Sequence, residues 1–197
     1  MKTQRIVNVG VGGQGNLLAS NLLGLAAVDA GVPVMVSEIH GMAQRGGVVE
    51  SAVILGGATS PIVAEGEADI LVSFEPVETM RLLGKCNRDS IVITNLRPLP
   101  PFTVAIGMAS YPDVEAGLKL VGRRVGRLVA FDGQALAEEA GNPLSLNMVM
   151  LGALFASGGL EVPVRAIKKM IRRHTKERFV PSNLKAFDLG FKYAQAA

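Results

Sequence analysis

A run of apolar residues at 5–9 ends in Gly10-Val11-Gly12-Gly13-Gln14-Gly15 and passes at once into a helix-like segment, 16–30, that Gly31 stops. A second apolar run follows at 32–36, so the chain opens as strand, glycine turn, helix and strand, the order of a βαβ unit. Gly10, Gly12 and Gly15 meet the Gly-x-Gly-x-x-Gly spacing, with Gly13 as an extra and Gln14 between. Such a turn aims backbone N–H groups and the positive end of a helix at an anion. The same glycines also let a helix pack closely on a sheet, and the motif alone leaves both uses open. For a dinucleotide the turn needs an acid at the tip of the second strand, which Glu38 supplies.

The segment after that strand is denser in chemistry than most loops. Glu38, His40, Gln44 and Arg45 crowd together and are closed by Gly46 and Gly47. The carboxylate accepts, the imidazole titrates near neutrality, the amide does both, and the guanidinium offers a planar fork to a carboxylate or phosphate. The loop lies at the carboxyl end of the expected parallel strands, where open α/β sheets hold their ligands. A pairing of Glu38 with Arg45 that merely fixes the loop is the alternative.

The connection from 38 to 47 is too short for a crossover helix, so the β-branched run 48–55 is expected as an antiparallel neighbour in an otherwise parallel sheet. Runs 70–74 and 91–94 read as central strands, with a helix at 77–83 between them. The proline-rich 96–101 reads as irregular, and 103–106 as one more strand. A helix at 113–121, a strand at 128–131 and helices at 147–157, 164–175 and 183–194 complete the pattern. The expected fold is an α/β, three-layer α/β/α Rossmann-like domain over 1–197, with a mostly parallel, mixed sheet and a helical last third.

Composition narrows the function. A net charge of +3, no Trp and two Tyr leave no basic stripe interleaved with aromatics, so nucleic acid is not expected as a partner. The one cysteine, Cys86, excludes an intrachain disulfide and an iron–sulfur cluster held by this chain alone. The uncharged run 140–160 is broken by polar residues and proline, and the start carries no signal-like apolar stretch; a cytoplasmic protein without a membrane span is expected. Seven Lys and Arg residues between 165 and 178 give one face of a helix its charge, either as a solvated face or as a dock for an acidic partner.

The glycine turn, the Ser37–Gly47 segment and a late Asn147-Met148-Val149-Met150-Leu151-Gly152 run resemble the gamma-type subunit of 2-oxoacid:ferredoxin oxidoreductases. The Met-Ala-Gln-Arg-Gly-Gly wording is most similar to the beta subunits of the indolepyruvate branch, and the likeness reaches 183–190 near the end of the chain. The resemblance implies a reaction shared between subunits: a 2-oxo acid is oxidatively decarboxylated on thiamine diphosphate, electrons pass through iron–sulfur clusters to ferredoxin, and coenzyme A takes the acyl group. It also implies that this chain binds no cofactor or metal alone. Asp132-Gly133 follows Phe131 and precedes no Asn pair, so the thiamine and magnesium signature is missing. Thiamine diphosphate, magnesium and the clusters are then expected on partner subunits, with coenzyme A as co-substrate. Candidates for shaping the active site or the coenzyme approach are Gly10, Gly12, Gly13, Gln14, Gly15, Glu38, His40, Gln44, Arg45, Gly46, Gly47 and Asn147. The alternatives are a free-standing NAD(P)-binding oxidoreductase and a non-catalytic interaction module.

Overall fold

A computed structural model describes residues 2–40 and 47–197. Six strands, β1 (Gln4–Val11), β2 (Val34–His40), β3 (Val48–Leu55), β4 (Ala68–Ser73), β5 (Cys86–Asn95) and β6 (Arg127–Phe131), form one sheet in the order β2-β3-β1-β4-β5-β6. β1, β4, β5 and β6 run parallel, and β3 is antiparallel to both its neighbours. The expected antiparallel neighbour is therefore present, with the boundaries read from the sequence.

One consequence differs from a plain βαβ opening. β3 inserts between β1 and β2, pairing Val11 with Val48 on one side and His40 with Val49 on the other. The first two parallel strands point the same way without touching. The hairpin's short connection leaves β3 no room to go elsewhere.

Alternation along the strands divides the core in two. Ile6, Val53, Ile70, Val72, Ile93 and Val129 face the helices α1 (Asn16–Asp29), α5 (Gly133–Glu139), α6 (Leu146–Ser157), α7 (Val164–His174) and α8 (Val180–Ala196). Val7, Val9, Ile54, Leu71 and Val92 face the thinner layer of α2 (Pro76–Arg81) and α4 (Val114–Arg124). α6 is apolar on every side, and each residue from Leu146 to Phe155 is buried, as such a helix must be. It crosses α8 at two glycines: a Cβ on Gly152 would stand 2.0 Å from the Phe187 carbonyl oxygen, and one on Gly190 2.0 Å from that of Val149.

The strand expected at 103–106 is instead a single helical turn, α3 (Phe102–Ala105). Its β-branched residues lie on an exposed arm with no strand beside them, and Pro101 opens a turn closed by the Ile106 amide on the Phe102 carbonyl, 3.0 Å away. Among the described residues no helix is long and apolar enough to cross a membrane.

Candidate functional site

The carboxyl ends of β1, β4, β5 and β6 share one edge, and the loops leaving them are tied together around the Phe74 carbonyl. Gln14 reaches across the gap between β1 and β4: its Oε1 accepts from the Val11 amide at 2.8 Å and its Nε2 donates to the Phe74 carbonyl at 2.9 Å. Asn95 donates to the same Phe74 carbonyl at 3.1 Å and accepts from the Gly133 amide at 2.9 Å. The crevice in which open sheets of this kind seat their ligands is thus partly filled by Gln14 itself.

Much of the glycine turn is accounted for by packing. A Cβ on Gly10 would lie 2.9 Å from both Gln14 Oε1 and Phe74 Cβ, and one on Gly15 would lie 2.7 Å from Asn147 Nδ2. Gly15 has a φ of +80°, a left-handed backbone that glycine adopts without strain. Asn147, at the start of α6, donates to the Gly15 carbonyl at 3.3 Å and accepts from the Met148 amide at 3.0 Å, so it pins the helix to the turn. The amides of Gly12 and Gln14 donate to the Gly47 and Val11 carbonyls at 2.8 and 3.1 Å. Gly13 differs: its φ is +107° and a Cβ there would meet open space.

Gly13 and Gln14 form one wall of a cleft of about 290 Å³ that Arg97, Pro98, Gln134 and Leu144 close on the far side. Arg97 is not available to an anion there. Its guanidinium bridges Asp132 and Glu138, each at 2.9 Å, so its charge is matched twice over. The Asp132 carboxyl, whose partial burial works the other way, is held below the usual range by the Ala135 amide and Arg97.

Gln44, Arg45 and Gly46 lie outside the described residues, as does the side chain of His40. The ends of their segment are placed. Val48 pairs with Val11 at the tip of β1, and the Gly47 carbonyl accepts from Gly12, so the β2–β3 connection returns to the chain against the glycine turn. Glu38 is not brought to that turn. It sits on the edge strand, with β3 between it and β1, a separation of two strand spacings or about 10 Å. Among the described residues its side-chain partner is Asn21 on α1, at 3.5 Å. A nicotinamide dinucleotide needs the glycines and the ribose-binding acid on adjacent strands, so this arrangement does not carry the NAD(P) reading.

Two acids that the sequence reading passed over organise the other side of the edge. Glu75 is 2% exposed and accepts four bonds: from the Val77 and Glu78 amides at 2.7 and 3.1 Å, from the Leu99 amide at 3.3 Å and from the Tyr111 hydroxyl. It caps α2 and ties down the arm 96–113. The local signal was present as a Glu-Pro pair directly after a buried strand, a favoured helix start. Glu78 is also buried and accepts from Arg81 at 2.6 Å through Oε1. Oε2 is shut off from solvent and has no partner among the described residues. Burial pushes the Glu78 carboxyl up, against the pull of Arg81. Its ionised form therefore costs stability, a cost absent below the ordinary pKa near 4.5 and growing as the pH rises through the raised value. Both acids line a cavity of about 220 Å³ together with Val11, Val48, Leu99 and Tyr111.

The remaining candidates resolve as structure. Cys86 is half-buried, and burial pushes its thiol up to about 11, which leaves no thiolate at neutral pH. On α7, Lys168 pairs with Asp188 at 2.6 Å and Lys169 with Asp29, so part of the basic face holds neighbouring helices.

A family model described as pyruvate ferredoxin/flavodoxin oxidoreductase matches residues 5–193. A relative from Pyrococcus horikoshii, named indolepyruvate oxidoreductase subunit IorB, is 44% identical over 197 residues, covering 99% of this chain and 98% of the relative. In fold, the chain is similar to the gamma subunit of a keto/oxoacid ferredoxin oxidoreductase from Geobacter sulfurreducens, with a TM-score of 0.73 at 24% identity over 98% of this chain and 99% of that one. It is also similar to part of 2-oxoglutarate:ferredoxin oxidoreductase from Magnetococcus marinus, with a TM-score of 0.76 at 20% identity over 100% of this chain and 32% of that one.

Proposed function

Because the chain belongs to the pyruvate ferredoxin/flavodoxin oxidoreductase family, we propose that it is the subunit of a 2-oxoacid:ferredoxin oxidoreductase that carries neither thiamine nor clusters, in an enzyme acting on indolepyruvate or a related 2-oxo acid. The complex oxidatively decarboxylates the 2-oxo acid to an acyl-coenzyme A and carbon dioxide and passes the electrons to ferredoxin. Thiamine diphosphate with magnesium, and the iron–sulfur clusters, need oxygen or thiolate ligands gathered at one point. The single Cys86 cannot supply the several thiolates of a cluster, and the Asp132-Gly133 pair lacks the thiamine and magnesium signature around it. In this reading those groups fall to partner subunits.

The contribution of this chain is a phosphate site for coenzyme A at the glycine turn, with Arg45 as its cation. The observation that supports this role is the Gly12–Gly47 bond, which sets Gly47, the last residue of the segment, on the turn. It brings the end of the one segment that combines acid, imidazole, amide and guanidinium beside the open flank at Gly13. The neutralised Arg97 leaves the role of counter-charge to Arg45. A guanidinium–phosphate bond is among the stronger hydrogen bonds, about 1.5–3 kcal/mol. In the assembled enzyme Arg45→Ala therefore raises the KM for coenzyme A by about tenfold or more and leaves the KM for the 2-oxo acid within about twofold. Equal changes in both constants, or in neither, contradict this role.

A further inference from the structure

The cavity beside Glu75 and Glu78 lies under α2 and the arm 96–113 and reaches Val11 and Val48 at the tips of β1 and β3. At about 220 Å³ it falls below the roughly 300 Å³ at which sites for whole drug-sized ligands begin. It admits a side chain rather than a coenzyme. Among the described residues its charge is out of balance, since two carboxylates meet one guanidinium, and Arg81 satisfies only one oxygen of Glu78. A buried carboxylate oxygen without a donor costs stability, none of the described residues supplies one, and a donor from outside completes the arrangement.

The arm that covers the cavity indicates what brings that donor. Leu99, Phe102, Ile106 and Met108, all on the same arm, are 45%, 75%, 49% and 77% exposed. Large apolar side chains exposed together on one short segment mark an interaction surface, and aromatic residues and methionine are enriched in the cores of protein interfaces. A small amine would fill the cavity and leave these side chains in water. A protein partner covers both.

We propose that the arm 99–112 and the Glu78 cavity dock the thiamine-bearing subunit, with a lysine or arginine side chain of that subunit entering the cavity to pair with Glu78. This rests on the functional reading above, which supplies the partner. The pairing matches a buried, unsatisfied carboxylate with a cation and surrounds the pair with apolar contacts that exclude water. It also explains why the isolated chain tolerates an acid that destabilises it, because a group held for binding is commonly a strained one in the free state.

The test is the dissociation constant between this chain and the thiamine- and iron-bearing subunit, with hydrogen exchange read on the arm. Phe102→Asp and Met108→Asp change exposed residues, so each isolated variant melts with the wild type while its complex weakens by at least tenfold. Glu78→Lys weakens the complex by about 30-fold or more, the scale of breaking a buried interfacial charge pair. Amides of 99–112 become protected in the wild-type complex. Variants that bind within threefold of wild type, protection confined to another face, or loss of a self-association of this chain in place of the complex each overturn the docking surface. A wild-type chain that does not associate with the thiamine-bearing subunit overturns the functional reading itself, and the two failures are told apart by that control.

Discussion

Gly190→Ala lowers the melting temperature of the chain by about 10 °C, and Gly152→Ala does the same. Overpacking a core costs about 1–3 kcal/mol and occasionally more, because neighbouring side chains can shift or change rotamer. Here they cannot respond. A methyl added at Gly190 would stand 2.0 Å from the Val149 carbonyl oxygen and one added at Gly152 2.0 Å from the Phe187 carbonyl oxygen, so backbone must move against backbone. Separating α6 from α8 also opens the packing of Phe155 against Phe187, whose rings now meet edge to face at 5.7 Å. A cost of about 3 kcal/mol or more corresponds to a fall of about 6–12 °C in a chain of this size. Gly122→Ala in α4 is the contrast, since its new Cβ would lie 3.6 Å from Leu128, an ordinary contact, and the substitution is expected to stabilise by about 0.5–1 kcal/mol. Thermal unfolding followed by circular dichroism decides the matter, and a fall of less than about 2 °C for both α6–α8 variants contradicts the close crossing.

Glu75→Ala is the second large effect, at about 3 kcal/mol, because one carboxylate serves four donors. Losing a helix N-cap costs about 1 kcal/mol, and each donor left without a partner in a buried place costs about 1–3 kcal/mol, of which entering water recovers part. The donors are the Val77 and Glu78 amides of α2 and, from the arm, the Leu99 amide and the Tyr111 hydroxyl. The damage is therefore local as well as global. Amide exchange at Leu99 and proteolysis within 96–112 speed up ahead of the sheet, and the complex with the partner subunit weakens even in the fraction that stays folded. Glu75→Gln recovers part of the loss, since its amide oxygen still accepts while its NH₂ faces a donor. A variant that melts lower with unchanged exchange in the arm would show that Glu75 caps α2 and does not anchor the arm.

The elements with strong local signals were legible. The β-branched run at 48–55 matches β3 end to end, and Gly31, with a φ of +71°, ends α1 where the helix was expected to stop. The short hairpin connection correctly gave an antiparallel neighbour. What it could not show was that β3 would lie between β1 and β2, because strand order is a long-range property. β5 begins at Cys86, earlier than its apolar core at 91–94, since Asn87, Arg88 and Asp89 are exposed and break the apolar pattern. The site divides in the same way. Gly15 and Asn147 were both singled out, yet their contact joins residues 132 positions apart, and only the fold reveals that one packs on the other. Glu75 and Glu78 were not singled out at all. The weight of Glu75 comes from Leu99 and Tyr111, 24 and 36 residues away in the chain, and no local pattern links them to it.

The central claim is that this chain acts as a subunit and that its glycine turn and loop complete a reaction carried on a partner. The most direct test co-expresses it with its thiamine- and iron-bearing partner, purifies the assembly without oxygen, and measures 2-oxoacid-dependent reduction of ferredoxin with and without this chain. The predicted result is a stable assembly that turns over indolepyruvate in the presence of coenzyme A, with turnover lost when this chain is omitted and restored when it is added back. Equal coenzyme A-dependent turnover by the partner alone would contradict the account.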